Sequence, residues 1–199
     1  MISSSMGHGK YIEPICQITV QAGQKLELEY VVLPGESKDI NVSVDLSGPG
    51  AELSLKAMYI CKAEEKVNFN ILVHHRAPGC RSTQLVKGIA GGSAQVNFNG
   101  TIVVAPDAQK TEAFQDNHNI LLSETAKVET RPQLEIYADD VKCSHGATIG
   151  RLNEDELFYM RSRGIPRAEA EALQILSFLS PVIPEGRQTE ITNLLSKNL

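Results

Sequence analysis

Apolar and polar residues alternate along a series of short segments that covers most of the chain, and this alternation constrains the fold more than any other feature. It runs through residues 24–32, 41–46, 52–56, 67–71, 94–104 and 133–137. A period of two puts one set of side chains inside a β-sheet protein and the other set outside. Breaks rich in Gly and Pro separate the segments, as turns do, at 33–35, 47–50, 77–79 and 90–92. A mainly β body is therefore predicted from about residue 13 to residue 148.

Many short strands are compatible with a sandwich, a barrel or a solenoid. The sequence has no exact repeat, so the pattern alone leaves the sandwich open. Amide side chains recur within the predicted strands, at Asn68, Asn70, Gln95, Asn97 and Asn99. Stacked strands can align such amides in ladders, which favours a solenoid. Outward-facing polar positions explain the same residues.

The pattern becomes helical after residue 150, which divides the chain into a β body at 1–150 and a helical tail at 151–199. Asn153 is a good helix N-cap because three acidic residues follow it, and Gly164 is a good stop. Pro166 suits the first turn of a second helix. That helix carries an apolar stripe and ends at Ser180-Pro181, and a third helix is predicted at 185–196. The stripe includes Leu173, Leu176 and Leu179.

Composition excludes several classes of protein. The net charge is −5 and there is no basic cluster, so nucleic-acid binding is not expected. No apolar run reaches the roughly 18–20 residues that cross a bilayer. Residues 1–10 lack the apolar core of a signal peptide, so a cytoplasmic location is predicted. The four cysteines, Cys16, Cys61, Cys80 and Cys143, form no CxxC pair and are expected to be free thiols.

Cys143 and His145 are the strongest candidates for chemistry. The phosphate-binding loop, HExxH and GxSxG signatures are missing, so a partner would have to supply any nucleotide hydrolysis. In an extended segment Cys143 and His145 point to the same side. A thiolate and an imidazole suit iron or zinc, and Lys142 is expected to lower the pKa of the thiol. The alternative is a buried Cys and a hydrogen-bonded His. Two ligands cannot complete a tetrahedral site, so a second segment or chain would have to contribute.

Two further polar segments have plainer interpretations. His74 and His75 are adjacent on a predicted strand and face opposite sides, so residues 74–80, which include Cys80, are interpreted as a polar strand end and turn. The run at 109–119 is polar with little periodicity. It is interpreted as a solvated loop, or alternatively as a functional turn beside the Cys143 strand.

An ordered series of motifs resembles the C-terminal core of the SufB/SufD family, and more closely its SufD branch. The motifs are GGSAQVNFNGTIVV at 91–104, AQKTEA at 108–113, NILLS at 119–123, PQLEIYADDVKCSHGAT at 132–148 and LFYMRSRGI at 157–165. The resemblance runs from about residue 79 to residue 178 and is weaker before it. The SufB form of the Cys143 segment is glutamate-rich, so the sequence CSHG favours the SufD branch.

The resemblance implies a right-handed parallel β-helix followed by C-terminal helices. It implies pairing of β-helices between a SufB-like and a SufD-like chain, or between two copies, and docking of a SufC-like ATPase on the helices. It also implies a non-catalytic scaffold role in iron–sulfur cluster assembly. Cys143 and His145 match the SufD-side positions for iron or a transient cluster, and Lys142, Asp140 and Gln115 are expected to support them.

Two departures and two other functions accompany this resemblance. Typical SufD chains are about twice as long and have an N-terminal helical region that is absent here, so the chain is interpreted as a minimal homologue, a fragment or a self-pairing chain. One alternative function is a self-contained metalloenzyme that uses His74, His75, Cys80 or His118. The other is a purely structural β-solenoid.

Overall fold

The described part of the computed structural model is residues 16–198, with the main chain alone at residues 197 and 198. It contains ten strands, each of five to ten residues: β1 Cys16–Val20, β2 Lys25–Val32, β3 Lys38–Leu46, β4 Glu52–Cys61, β5 Lys66–His75, β6 Arg81–Ala90, β7 Gln95–Val104, β8 Glu112–Leu121, β9 Lys127–Ile136 and β10 Lys142–Gly150.

The strands wind into a parallel β-solenoid of about five turns. One sheet has the order β1-β3-β5-β7-β9 and the other β10-β8-β6-β4-β2, and every neighbouring pair is parallel. The predicted solenoid is confirmed, and the sandwich alternative is wrong. The right hand, which is the general preference for connections between parallel strands of one sheet, stays a prediction. The predicted start at residues 13–15 lies outside the described residues, as do residues 1–10.

Alternate residues of the strands form the solenoid interior, which is mostly apolar. Val, Ile, Leu and Ala fill most of it, and a short row of rings crosses its middle. The Phe69 ring lies 6.0 Å from that of Tyr59 and 6.5 Å from that of Phe98, measured between centroids. Alternate side chains are directed inward because strand geometry has a period of two.

Amide ladders connect successive coils on the outer face of the first sheet. Asn97 donates to Asn68, which donates to Asp39, and a parallel ladder joins Asn99, Asn70 and Asn41. The members of each ladder are 29 residues apart. The predicted ladders are therefore confirmed for four of the five amides; Gln95 is in register with Lys66 and Lys127 instead.

The polar run at 109–119 is mostly strand, so its interpretation as a solvated loop is wrong. Residues 112–121 form β8, which pairs with both β6 and β10. Gln115, Asn117 and Asn119 are buried on its inner face. Their polarity hid the alternation because inner and outer positions of β8 both carry polar groups. The alternative, a functional turn beside the Cys143 strand, is confirmed only in its position, by the pairing of Ala113 with Cys143, because the segment is mostly strand and not a turn.

Three helices follow the solenoid: α1 Glu154–Ser162, α2 Arg167–Leu179 and α3 Gln188–Asn198, with a 3-10 turn at Ser180–Val182. Asn153 caps α1 as predicted, since its side chain accepts hydrogen bonds from the N–H groups of Asp155 and Glu156. Gly164 follows α1 with a φ of 88°, a conformation that glycine adopts without strain.

The tail packs on the outer face of the second sheet. Met58, Ile60 and Ile89 of the solenoid form one buried cluster with residues of α2, the 3-10 turn and α3, namely Ile175, Leu179, Val182, Ile191 and Leu195. Lys87 strengthens this attachment, because its Nζ donates to the Phe178 carbonyl at 3.0 Å and lies 4.6 Å from the Phe178 ring centroid. The tail and the solenoid therefore share buried surface.

Candidate ligand site at the open end of the solenoid

The strands β9 and β10 form the last coil of the solenoid. Within residues 16–198, each is the outermost strand of its sheet and has a single neighbouring strand. Lys142 donates its N–H to the Thr111 carbonyl at 2.8 Å, toward the preceding coil. Because backbone groups alternate along a strand, those of Cys143, His145, Ala147 and Ile149 face the open edge. This edge is a surface at which another strand can pair.

Cys143 and His145 lie on the inner side of this last strand. They are in register with Ala113 and Gln115, which are both fully buried in the preceding coil. Cys143 is half-buried and His145 is exposed, because no further coil of the described chain covers them. The predicted same-side arrangement is confirmed, and both side chains are at the open end of the solenoid, which is formed by β9 and β10.

Lys142 does not act on the Cys143 thiol in the predicted way. Its Nζ lies 3.2 Å from Glu112 Oε1, on the outer face of the sheet, whereas Cys143 faces inward. Burial raises the pKa of the Cys143 thiol, and a backbone hydrogen bond from Ala113 opposes that shift only in part. The expected lowering of the pKa by Lys142 is therefore wrong for the isolated chain, since alternation separates neighbouring side chains.

Gln115 is in register with His145 on the neighbouring strand β8 and is fully buried. Its Nε2 donates to Gln84 Oε1 at 3.0 Å, while its own Oε1 has no hydrogen-bond partner among the described residues. Gly100 makes room for this amide, since a Cβ there would lie 2.5 Å from Gln115 Nε2. Gln115 thus carries a buried amide oxygen that has no partner among the described residues, on the strand that pairs with the strand of His145.

Asp140 belongs to the turn that leads into β10. Its N–H donates to Gln109 Oε1 at 2.9 Å, and its carbonyl accepts from the Lys110 N–H at 2.5 Å. These bonds tie the turn to the preceding coil. Asp140 therefore holds the start of the Cys143 strand through its main chain.

The other histidines and cysteines within residues 16–198 are dispersed. His74 faces outward and contacts Asp45 at 3.0 Å, whereas His75 is buried with its Nε2 2.8 Å from Ser82 Oγ. Adjacent histidines on opposite faces confirm the interpretation as a strand end. His118 is on the outer face of β8, with its Nδ1 2.9 Å from Thr148 Oγ1. Across residues 16–198, no group of three or more His, Cys, Asp and Glu side chains is arranged to hold a metal ion.

The other three cysteines are far from the open end or inaccessible. Cys16 is exposed on β1, at the opposite end of the solenoid. Cys61 and Cys80 are buried in the core. Burial raises the pKa of the Cys61 thiol to about 12, and it also raises that of Cys80. A buried thiol of high pKa is a poor nucleophile and a poor metal ligand.

Exposed apolar side chains form two surfaces whose residues could not be identified from the sequence. Ile136, Tyr137 and Ile149 are exposed at or next to the open end, and Phe158, Tyr159 and Leu173 are exposed on the tail. Of the predicted stripe, Leu179 is buried, Leu176 is half-buried and Leu173 is 44% exposed. Helical spacing identifies a stripe but not which of its residues the solenoid covers. No helix in the described part of the chain is long and apolar enough to cross a membrane.

Comparison with known proteins matches residues 14–178 to the family model described as SUF system FeS cluster assembly, SufBD core domain. The chain is 41% identical over 138 residues to the iron-sulfur cluster assembly protein SufD of Escherichia coli, covering 69% of this chain and 33% of that protein. It is 38% identical over 172 residues to the chloroplastic protein ABCI7 of Arabidopsis thaliana, covering 86% and 36%. It is 35% identical over 143 residues to SufD of Bacillus subtilis, covering 72% and 33%. The matched part is about a third of the length of each relative.

Proposed function

The chain belongs to the SufBD core family of the SUF system of iron–sulfur cluster assembly, and from this premise we propose that it is a non-catalytic scaffold subunit. In this proposal Cys143 and His145 bind iron or a nascent iron–sulfur cluster at an interface with another chain. The cluster is cargo that the complex builds and passes on. The observation that carries the proposal is the position of both residues on the inner side of β10, at a sheet edge that no other strand of the described residues covers.

The chemistry of the pair supports this role. A thiolate and an imidazole are ligands that iron and iron–sulfur clusters accept. Burial favours the neutral thiol in the isolated chain, so a bound cation has to offset the raised pKa of Cys143. Ligand binding is therefore expected to release a proton and to strengthen with rising pH.

Gln115 is proposed to orient His145. Metal-ligating histidines usually donate their second ring N–H to a nearby oxygen, which sets the ring orientation and the tautomer. The Gln115 Oε1 is buried, unpaired among the described residues and in register with His145. Asp140 is proposed to hold the start of β10 through the hydrogen bonds of its turn, and Lys142 is proposed to hold β10 against β8 through its ion pair with Glu112 on the outer face.

The remaining ligands are proposed to come from another chain. Two protein ligands do not complete a tetrahedral site. The open edges of β9 and β10 accept a strand of a SufB-like partner or of a second copy, and such pairing buries Ile136 and Ile149. A SufC-like ATPase is proposed to dock on the tail and to supply nucleotide hydrolysis. A cytoplasmic location stays a prediction.

The self-contained metalloenzyme is disfavoured by geometry. His74, His75, Cys80 and His118 do not converge, since His74 and His118 face outward while His75 and Cys80 are buried inside. A purely structural β-solenoid remains the competing function. Variants of Cys143 and His145 distinguish the two functions. A purely structural protein would bind no iron or sulfide, so the variants would not differ from the wild type in iron and sulfide content.

The decisive experiment changes the two ligands and counts iron and sulfide. Cys143→Ser and His145→Ala are reconstituted anaerobically with a SufB-like chain and a SufC-like ATPase. Both should lose most of the iron and sulfide and still bind their partners, because neither side chain is fully buried. Cys16→Ser and His118→Ala are the matched controls and should assemble normally, because Cys16 is at the opposite end of the solenoid and His118 is on the outer face of its sheet. Normal assembly by the Cys143 and His145 variants would refute the ligand role.

A further inference from the structure

A column of charged side chains runs along the outer face of the second sheet, one from each of its five strands. Its members are in direct register from coil to coil: Lys25, Glu52, Arg81, Glu112 and Lys142. The sign of the charge alternates at every step. Opposite charges in direct register stabilise neighbouring strands and like charges destabilise them.

The best-defined contacts of this charge column are at its end nearest the open edge. Glu112 lies between two cations, with its Oε2 3.7 Å from Arg81 Nε and its Oε1 3.2 Å from Lys142 Nζ. Arg81 in turn has an acid in register on both sides. Lys142 has one such neighbour, Glu112, and its side chain is 76% exposed. The position next to Lys142 lies beyond the edge of β10, where a partner strand would pair.

We propose that the partner at this edge is a different chain whose pairing strand places an Asp or Glu opposite Lys142 and so extends the charge column. This inference rests on the proposed function and specifies the partner that it left open. The carboxylate would meet an amine that already shares one anion with Arg81. A strand carrying Lys or Arg at that position would be repelled.

Charge complementarity disfavours pairing between the β10 strands of two copies. The outward residues of β10 are Lys142, Ser144, Gly146, Thr148 and Gly150, so the strand offers no acid. In every register that sets Lys142 against an outward residue of β10, it meets a hydroxyl, a glycine or another lysine; the nearest acids, Asp139 and Asp140, precede the strand. The outward acids of β9 already have partners, since Glu129 pairs with Arg131 at 2.9 Å and Glu135 accepts from Gln133 at 3.0 Å.

The test measures association of the chain with a purified SufB-like chain and with itself, without iron or sulfide. The variants are Lys142→Glu, which reverses the charge, and Lys142→Met, which removes it without setting two acids side by side. Lys127→Glu is the matched control: Lys127 is an exposed lysine on the other edge strand, and its register neighbours Gln95 and Lys66 form no alternating column. Circular dichroism and thermal unfolding establish that each variant is folded.

We expect Lys142→Glu to weaken binding of the SufB-like chain about tenfold or more at low salt, and Lys142→Met to weaken it less. The Lys127→Glu control should change affinity by less than about threefold. The difference should fade near 0.5 M salt, where the Debye length is only a few ångströms. Changing the acids of the partner's edge strand to Lys one at a time should identify one variant that restores binding to Lys142→Glu.

Equal affinities for Lys142→Glu and the Lys127→Glu control, or a chain that pairs with itself more tightly than with the SufB-like chain, would overturn this inference. The outcome is separable from that of the proposed function. If the chain assembles clusters but its affinity for the partner does not depend on the charge at residue 142, only the proposed extension of the charge column is contradicted. Lost affinity in the Lys142 variants together with normal cluster assembly by the Cys143 and His145 variants contradicts the ligand role alone.

Discussion

Single residues in this solenoid have properties set by the direction in which they point. His74 and His75 are neighbours in sequence, yet one contacts Asp45 on the surface and the other is fully buried beside Ser82. Lys142 and Cys143 are separated in the same way, which is why the lysine pairs with Glu112 and leaves the thiol to its desolvated surroundings. Proximity along the chain is therefore a poor guide to electrostatic influence in a strand.

His75 should make the fold sensitive to acid. Burial lowers its pKa from 6.5 to about 4, so between these values the unfolded chain binds a proton that the folded chain excludes. The stabilising contribution is present above pH 6.5 and is lost progressively as the pH falls to 4. From pH 7 to pH 5 the loss should be about 2 kcal/mol in the free energy of unfolding.

Urea unfolding of the wild type and of His75→Gln at both pH values measures this loss. The variant should lose about 2 kcal/mol less than the wild type over that range, whatever its stability at pH 7. His118→Gln is the control, because this histidine is on the outer face. An unchanged pH dependence in His75→Gln would show that another group is responsible.

At the scale of elements, the tail has an inner surface that holds it and an outer surface that is available to a partner. Ile175 and Leu179 of α2 are buried against the solenoid, whereas Leu173 on the same helix is 44% exposed. Tyr159 of α1 is exposed near it, and both border a groove between α1, α2 and the end of β8. An apolar groove of this kind is a suitable docking surface.

Leu173→Asp should abolish co-purification with a SufC-like ATPase while leaving the fold intact, since a charge in an apolar interface has to be desolvated. Ile136→Asp is the matched control, because Ile136 is equally exposed but lies at the open end of the solenoid. It should retain the ATPase and weaken pairing with the other scaffold chain. Retention of the ATPase by Leu173→Asp would contradict the proposed docking of the ATPase on this groove.

At the scale of the whole molecule, each coil of the solenoid contacts its immediate neighbours, so stability depends on position along the axis. Phe69 is fully buried in the middle of the row of rings, whereas Leu26 on β2 is half-buried in the first coil. Phe69→Ala should cost about 3–5 kcal/mol in the free energy of unfolding. Leu26→Ala should cost clearly less, because its site is incompletely covered.

Chemical denaturation of both variants measures these costs. The denaturant concentration at the midpoint of unfolding should fall much further for Phe69→Ala than for Leu26→Ala. Amide hydrogens of the first coil should also exchange sooner than those of the middle coils. Similar costs at the two positions would mean that the solenoid unfolds with no gradient along its axis.

Much of the local structure could be predicted because its cause is local. Alternation assigned inner and outer faces to most strands and put Cys143 and His145 on one side, and Asn153 and Gly164 marked the limits of α1. These features depend on backbone geometry and on neighbours within one helical turn. The strand β8 escaped prediction since its inner face carries amides, and local polarity does not distinguish a wet surface from a hydrogen-bonded interior.

The remainder was decided by stacking of the coils, which joins residues about thirty positions apart. Only that register aligns Gln115 with His145 and brings Lys142 next to Glu112. It also allows the amides of each ladder to form hydrogen bonds from one coil to the next. The packing of the tail likewise decided that Leu179 is buried and that Leu173 remains 44% exposed. Alternation follows from the geometry of a single strand, whereas register and cover depend on turn lengths and on the combined burial of distant surfaces, which no short segment encodes.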